Sequence, residues 1–310
     1  MRWQRTLDLT LFGLEKLVII DKAIFLRNAR IIRKVLPRDA EYKVRDFLLS
    51  ISRVTYESSS NKVIHACTWK SASQWVRMIL SDPIIYKNSG LRPLVPSSSD
   101  QMRKVLESDQ GGSGTFKNKR ILTPAYVTRD RAELALIHEH DRAFFVSRDP
   151  RDLLISRYFS RASAHPANEK IVAWRDKLGK LDIESGLIAV MDDFDDIAVI
   201  LRSWASPRAE SDNYFNTSYE KLTGEDNIAS WSELMKFLDI GLSSDRLEAL
   251  LNQYSFSAMS GGRGAGEEKK DHKYRKGQPG DWKNHFTPEV ERQFIFRYGD
   301  IIRQFGSDSI

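Results

Sequence analysis

The sequence has little cysteine and no long apolar run. Its 310 residues contain a single cysteine, Cys67, so an intrachain disulfide is excluded and a reducing, cytoplasmic location is expected. Charged residues interrupt residues 1–25 before 18 apolar positions accumulate, which argues against a membrane-spanning helix. The same segment also lacks the small-residue cleavage site that follows the apolar core of a signal peptide.

The N-terminal residues are interpreted as helical. One or two amphipathic helices are favoured over residues 1–25, and peripheral membrane contact by residues 1–30 is the less favoured alternative. Residues 23–50 combine helical spacing with a basic face. We therefore expect residues 1–60 to form a helical extension packed on one main domain, residues 61–310.

The charge balance is mildly basic. Lys and Arg total 48 against 42 Asp and Glu, which gives a formal net charge of +6. Such a surface favours an anionic partner, which could be nucleic acid, a membrane surface or a phosphorylated small molecule. A basic surface that serves only solubility is an equally weighted alternative, so charge alone does not choose.

Short β-rich runs alternate with longer segments of helical periodicity. Three runs are typical of buried strands, at 62–68 (KVIHACT), 143–147 (AFFVS) and 214–219 (YFNTSY). Helices are predicted in 70–80 (KSASQWVRMIL), at 101–108, at 131–137, from Pro150, throughout 169–205, and at 229–239, 243–252 and 288–303. The alternation predicts an α/β fold with three layers (α/β/α) and a central, mostly parallel sheet, with loops around the short helix in residues 92–120.

Ligands of such sheets bind beyond the carboxyl ends of the strands. The loops at 69–74, 148–150 and 219–221 are therefore expected to share one edge. In residues 68–75 (TWKSASQW), Lys70 and the hydroxyls of Ser71 and Ser73 lie between a strand and a helix start, where free helix amides suit a phosphate. The alternative is a helix start that is merely polar.

One phosphate-binding pattern is absent. The chain has no G-x-x-x-x-G-K-[ST] run, which argues against an ordinary nucleoside triphosphatase. A small-molecule kinase stays the alternative enzyme, although it needs that loop and magnesium-binding carboxylates, and the sequence shows neither.

A second candidate binding segment follows the 143–147 run. Arg148 ends that strand, and Ser156 lies two turns into the next helix. Arg148 is placed to meet an anion at the sheet edge. Asp149 and Asp152 could instead pair with Arg148 and Arg151 as a structural turn network.

The third candidate is residues 275–286, RKGQPGDWKNHF. Arg275 offers a planar fork that suits phosphate, and Lys276 adds a point charge. Gly277 and Gly280 let the backbone approach a ligand closely. Trp282 is interpreted as an anchor of this loop, and a flexible basic hairpin or a nucleic-acid patch is the alternative.

Taken together, the three segments resemble the cytosolic-type sulfotransferases that use 3′-phosphoadenosine 5′-phosphosulfate (PAPS). Residues 68–75 are similar to that family's Y-P-K-S-G-T-x-W loop, residues 148–156 to its Arg-then-Ser motif, and residues 275–287 to its R-K-G-x-x-G-D-W-K-x-x-F-T. The resemblance spans residues 61–305. It implies a P-loop-like nucleotide-binding fold and sulfonate transfer from PAPS to a hydroxyl or amine of a small-molecule or glycan acceptor. It implies no metal and no nucleic acid.

The resemblance also implies roles for individual residues. Lys70 would hold the bridging oxygen and the sulfonate, and the adenine would lie among three aromatic residues, Trp75, Tyr219 and Phe256. The 5′-phosphate would be held by Ser71, Ala72, Ser73 and Gln74 with the loop amides, and the 3′-phosphate by Arg148, Ser156, Arg275, Lys276 and Gly277.

The chain departs from the family where a base is expected. Residues 120–130 (RILTPAYVTRD) contain no histidine, so the general base is unassigned. His165 is the favoured acceptor-side residue, and a carboxylate could take the place of the family's histidine as the base. A catalytically degenerate 3′-phosphonucleotide-binding protein is a further alternative. In the first loop, Trp69 stands where the family has Pro, and Ala72 where it has Gly.

Overall fold

The structure is a computed structural model that describes residues 49, 52–107, 119–136, 138–164, 168–205 and 212–307. The chain divides into two compact units, Met1–Thr55 and Tyr56–Ile310. The predicted extension over residues 1–60 lies almost entirely outside the described residues, so it stays a prediction. The features that follow belong to the larger unit.

The strands of the described residues form one parallel sheet. They are β1 (Lys62–Cys67), β2 (Arg92–Leu94), β3 (Arg120–Ala125), β4 (Arg142–Ser147) and β5 (Tyr214–Ser218), in the order β2-β3-β1-β4-β5. Every pairing is parallel. From β1 the chain crosses to β2 at one edge and returns to place β3 beside β1, and from β4 it continues to β5 on the other side. This places a topological switch point between β1 and β4, where ligands of open α/β sheets bind.

Helices connect and flank the strands. In chain order they are α1 (Ser73–Leu80), α2 (Pro83–Lys87), α3 (Ser99–Glu107), α4 (Arg129–Ala135), α5 (Pro150–Phe159), α6 (Glu169–Leu178), α7 (Ile183–Met191), α8 (Asp195–Ala205), α9 (Tyr219–Thr223), α10 (Asn227–Phe237), α11 (Ser244–Gln253), α12 (Phe256–Ser260) and α13 (Pro288–Phe305). A π-helical turn, Ser160–Ala164, continues α5, and a 3-10 turn, Asp281–Asn284, precedes α13. None of the helices in the described ranges is both long and apolar enough to cross a bilayer.

Two hydrophobic cores lie on opposite faces of the sheet. Ile64 and Phe145 belong to one cluster of buried side chains, and Val63 and Phe144 belong to the other. Neighbouring residues of a strand point to opposite faces, so both faces of the sheet are covered. All six residues of β1 are buried, which explains why apolar residues of that strand, such as Val63 and Ile64, point to both faces of the sheet. The three-layer α/β/α prediction is confirmed.

The three strands predicted from the sequence are β1, β4 and β5, but the sequence analysis missed β2 and β3. The prediction of loops around residues 92–94 was wrong. Pro93 and Pro124 each lie inside a missed strand, and proline normally argues against a strand interior because it lacks a backbone donor. β3 nevertheless pairs in parallel with β1 on one side and β2 on the other, and this pairing overrides the preference of proline against strand interiors.

The stretch 169–205 is helical as predicted, but it is divided into α6, α7 and α8. Asp182 caps the start of α7, its carboxylate accepting from the Ser185 amide at 2.8 Å. A short polar side chain that bonds its own backbone favours a new helix start over a continuing helix.

Candidate functional site at the carboxyl edge of the sheet

The first loop, residues 68–72, connects β1 to α1 with a strained backbone. Lys70 has φ 76° and Ala72 φ 59°, which is the left-handed region that favours glycine. Ala72 is the N-cap of α1, and its carbonyl accepts from the Trp75 and Val76 amides at 2.8 and 3.2 Å. The preceding amides, of Ser73 and Gln74, come before the first intrahelical bonds and are oriented to bind an anion.

Positive charge is concentrated around Lys70. Burial lowers the pKa of Lys70 to about 8, and the positive charges of Arg148, Lys273, Arg157 and Arg275 lower it further in that order. Each of these cations disfavours the charged form of its neighbours. A polyanion at this edge would relieve the repulsion, which makes the cluster suited to phosphate groups.

The polar side chains of the first loop have different partners. Ser71 is buried and donates to the Thr68 carbonyl at 2.9 Å, so its hydroxyl is engaged in shaping the loop. Ser73 Oγ lies 3.0 Å from the Tyr126 hydroxyl, and Gln74 Nε2 donates to the same hydroxyl at 3.3 Å. Tyr126 was missed by the sequence analysis. Its position directly after the apolar run ILTPA was the signal that could have found it.

Arg148 joins the second candidate segment to the first loop. It follows β4 directly and donates from Nη1 to the Lys70 carbonyl at 3.2 Å. Its guanidinium lies 4.6 Å from the centre of the Tyr219 ring, and the Arg148 side chain is 12% exposed. Arg148 Nε has no hydrogen-bond partner among the described residues. The predicted convergence of the loops after β1, β4 and β5 is therefore observed.

The turn network considered as an alternative for this segment is also present. The carboxylate of Asp149, the N-cap of α5, accepts from the Arg151 amide at 2.9 Å and from Arg151 Nη2 at 2.7 Å. Asp152 lies 3.4 Å from Arg148 Nη2. The network holds Arg151 by short hydrogen bonds, but its contact with Arg148 is long. A structural turn network and anion binding by Arg148 are therefore compatible.

Ser156 lies on the open side of α5. The other residues of this helix are all buried, and Ser156 is the exception. Its hydroxyl makes no hydrogen bond within the described part of the chain, which leaves it available to a ligand.

The third loop, residues 275–280, is held by buried carboxylates. Asp281 is 2% exposed and accepts from both Arg275 and Lys276. These hydrogen bonds, with those from His285 and Asn284, outweigh burial and hold the pKa of Asp281 far below its usual range. Arg275 also pairs with Glu268 at 2.5 Å. Both cations of the loop therefore face carboxylates in this structure.

Asp152 links the third loop to α5. Its carboxylate accepts from the Gly280 amide at 2.8 Å and from the Trp282 amide at 2.9 Å. The Trp282 ring lies 3.7 Å from the Arg151 guanidinium and packs at the edge of the first core cluster. Trp282 anchors the loop, as the sequence predicts, and Asp152 is the contact that the sequence did not indicate.

Aromatic side chains lie at the same edge of the sheet. A Cβ added at Gly277, which has φ 67°, would lie 2.0 Å from the Phe256 ring, so only glycine fits against that ring. Trp75 Nε1 donates to the Tyr254 carbonyl at 2.8 Å, which connects α1 to the segment just before Phe256. The structure thus places Phe256 against the third loop and bonds Trp75 to Tyr254, two residues before Phe256.

The described histidines His65, His138, His140 and His285 do not supply an evident base. His138 and His140 are exposed and precede β4 at its amino end, away from the site, as predicted. His65 is buried in β1 with Nδ1 2.8 Å from Thr123 Oγ1, and burial lowers the pKa of His65 to about 3. His285 faces Asp281 at 3.4 Å. His165 lies outside the described residues, so its predicted acceptor-side role stays a prediction.

Metal ligands are not clustered in the ranges that the structure describes. No group of three or more His, Cys, Asp or Glu side chains is arranged there to hold a metal ion. The positive charges of the site come from Lys and Arg.

The chain was compared with known proteins. A family model described as Sulfotransferase domain matches residues 133–306, more than half of the chain. Sulfotransferase 2A1 of Rattus norvegicus is 28% identical over 202 residues, which cover 61% of this chain and 66% of that protein. Sulfotransferase 2A2 of Mus musculus is 31% identical over 156 residues, which cover 47% of this chain and 51% of that protein. The matched part of the chain thus spans about two thirds or less of the length of these curated relatives.

A solved structure supports the same fold. The crystal structure of mouse sulfotransferase SULT7A1 complexed with PAP superposes with a TM-score of 0.54 at 16% identity, covering 82% of this chain and 87% of that one. The matched family range contains Arg148, Tyr219 and the third loop, whereas the first loop precedes it. The arrangement of those segments and the family match lead to one conclusion: the chain belongs to the sulfotransferase domain family.

Proposed function

We propose that this protein transfers a sulfonate group from PAPS to a hydroxyl or amine of a small-molecule or glycan acceptor. One observation carries the proposal above all. Three basic segments distant in sequence meet at the carboxyl edge of β1 and β4, where Arg148 donates to the Lys70 carbonyl and Asp152 holds the third loop. Membership of the sulfotransferase family supports the same activity.

In this proposal the donor's two phosphate groups bind at opposite ends of the site. The amides at the start of α1, with Ser73 and Gln74, hold the 5′-phosphosulfate. Arg148, Ser156, Arg275, Lys276 and the Gly277 amide hold the 3′-phosphate, and the adenine packs among Trp75, Tyr219 and Phe256. The unpaired Arg148 Nε and the open position of Ser156 favour the 3′-phosphate assignment.

Lys70 is the proposed catalytic residue. Sulfonate transfer needs the acceptor, sulfur and leaving oxygen in line, and the protein contributes mainly positioning and electrostatic stabilisation. The ammonium of Lys70 stabilises the charge that develops on the leaving phosphate oxygen. The acceptor's proton goes to a general base that is unassigned.

The remaining features of the proposal come from the sequence. The acceptor is small or a glycan, and neither a metal nor nucleic acid is required. A cytoplasmic location rests on the single cysteine, which is buried.

The direct test is ligand specificity. Thermal unfolding is measured with 3′-phosphoadenosine 5′-phosphate (PAP), with ATP and with an oligonucleotide of unrelated sequence. We expect PAP to raise the melting temperature most, because it alone presents both the 3′- and 5′-phosphates to the site. Equal stabilisation by ATP and PAP, or none by PAP, contradicts the proposal.

Two variants separate binding from transfer. Lys70→Ala should abolish sulfonate transfer, and Arg275→Ala should mainly weaken PAP binding. Full activity in Lys70→Ala would contradict the catalytic role proposed for Lys70. An unchanged PAP dissociation constant in Arg275→Ala would contradict the binding role proposed for Arg275. A wild-type protein that binds PAP but transfers to no acceptor would favour the degenerate binding protein.

A further inference from the structure

Tyr126 lies at the carboxyl edge of the sheet but has no role in the site described so far. It directly follows β3, which lies beside β1, and is half-buried. Its ring stacks on Trp69, with centroids 4.8 Å apart and planes 7° from parallel. Trp69 directly precedes Lys70, so this stacked pair fixes the Tyr126 hydroxyl next to the first loop.

That hydroxyl is hydrogen-bonded to two side chains of the first turn of α1, Ser73 and Gln74. Gln74 Nε2 is a donor only, so the Tyr126 oxygen accepts at the 3.3 Å contact. Either hydroxyl can donate at the 3.0 Å contact between the Tyr126 oxygen and Ser73 Oγ, and donation by the phenol is the direction that leaves the serine proton for another acceptor. The result is a chain of hydrogen bonds that runs from Gln74 through Tyr126 to Ser73.

This direction determines what Ser73 has left to donate. When Ser73 Oγ accepts from Tyr126, its own proton must go to another acceptor. The Ser73 hydroxyl also faces the buried thiol of Cys67, whose sulfur is a weak acceptor. A phosphate oxygen at the start of α1 is a far stronger acceptor, because hydrogen bonds to charged groups are shorter and roughly twice as strong.

The phenol keeps its proton at neutral pH. Burial raises the pKa of Tyr126 to about 12, although its hydrogen bonds to Ser73 and Gln74 act in the opposite direction. A phenolate general base at this position is therefore disfavoured. The surroundings support a neutral phenol, which has a proton that it can donate to Ser73.

We propose that Tyr126 is a positioning residue for the 5′-phosphate of the nucleotide, acting through Ser73 and Gln74. It orients the Ser73 hydroxyl so that the serine donates to the phosphate, and it holds the Gln74 amide beside it. The inference rests on the proposed function, since it assigns the 5′-phosphate to the first turn of α1. Trp69, which replaces a proline of the family pattern, supplies the surface that fixes the Tyr126 ring.

The test compares two nucleotides that differ only in the 5′-phosphate. Dissociation constants of PAP and of adenosine 3′-monophosphate are measured by calorimetry for the wild type and for Tyr126→Phe, which keeps the ring and removes the hydroxyl. We expect Tyr126→Phe to weaken PAP binding by about tenfold, the value of one charge-assisted hydrogen bond, and to leave adenosine 3′-monophosphate binding unchanged. Tyr56→Phe is the matched control, because it removes a tyrosine hydroxyl bonded to Asp239 outside the site. It should change neither constant.

A double-mutant cycle tests the route through Ser73. If Tyr126 acts by orienting that serine, Tyr126→Phe should cost little further PAP affinity in a Ser73→Ala background. Equal losses for both nucleotides, or unchanged PAP binding in Tyr126→Phe, overturn the inference while leaving the proposed function in place. A wild-type protein that does not bind PAP overturns both.

Discussion

Lys70 has a strained backbone, and its ammonium lies near several other positive charges. Its pKa of about 8 lies below the ordinary value of 10.5, so the free protein loses the Lys70 charge as pH rises through about 8. We expect PAP affinity to fall above pH 8, approaching tenfold per pH unit, because binding then requires protonation of the amine. Calorimetric titrations from pH 7 to 10 measure this.

The control for Lys70 keeps the charge. Lys70→Arg stays protonated throughout that range, so its PAP affinity should be nearly independent of pH. An alkaline decline of the same size in Lys70→Arg would show that another group titrates.

Ala72 is the residue where the loop's geometry and its sequence disagree. Alanine at φ 59° costs roughly 1 kcal/mol relative to glycine. We therefore expect Ala72→Gly to raise the free energy of unfolding by up to about 1 kcal/mol, measured by urea denaturation. The effect on stability should be visible without any ligand.

An exposed helical alanine gives the matched control for Ala72. Ala173 lies within α6 and is exposed, where glycine loses about 1 kcal/mol relative to alanine. Ala173→Gly should therefore destabilise, opposite in sign to Ala72→Gly. Destabilisation of equal size in both variants would mean that the left-handed position carries no strain.

At the scale of elements, the third loop and its carboxylates determine how readily a phosphate binds. Arg275 forms salt bridges with two carboxylates, Asp281 and Glu268. Asp281 is buried and also pairs with Lys276, whereas the side chain of Glu268 is 29% exposed. A 3′-phosphate at Arg275 would meet repulsion from Glu268. We expect Glu268→Gln to tighten PAP binding by up to about tenfold, since one competing charge is removed.

The neighbouring Glu267 provides the control. It is exposed, and its carboxylate accepts from the Gly264 amide at 3.1 Å. Glu267→Gln makes the same change in net charge, so it should leave PAP affinity nearly unchanged. Similar tightening in both variants would point to long-range electrostatics instead of competition at Arg275.

At the scale of the whole molecule, His65 gives stability a pH dependence. It is buried in the central strand, and its pKa of about 3 lies below the ordinary 6.5. Between these values the unfolded chain binds a proton that the folded protein does not, so stability falls as pH falls from about 6.5 toward 3. The slope is about 1.4 kcal/mol per pH unit for one proton.

Urea denaturation at pH 7 and pH 5 measures this slope. His65→Gln should flatten it, whereas His140→Gln, which changes an exposed histidine, should leave it unchanged. Proton uptake on unfolding of the wild type at pH 5 provides a second measurement that needs no variant. Uptake that does not include the His65 proton would contradict the assignment.

The sequence predicted the local parts of this molecule well. The buried strands β1 and β4 are rich in apolar residues, and the polar loops that follow them carry Lys70 and Arg148. Burial and the ends of strands therefore affect the local sequence. By contrast, β3 was hidden by Pro124, whose local preference is overridden by the strands on either side. Parallel pairing is a long-range contact, which local patterns do not encode.

The composition of the site's loops was readable from the sequence by itself, and so was the family that they resemble. Only the tertiary structure decided which groups meet across distant segments. Tyr126 and Ser73 are hydrogen-bonded although they lie 53 residues apart in the sequence, and Asp152 and Gly280 although they lie 128 residues apart. The physical reason is that the order of the strands places the ends of β1, β3 and β4 side by side, and that order depends on the packing of the whole sheet.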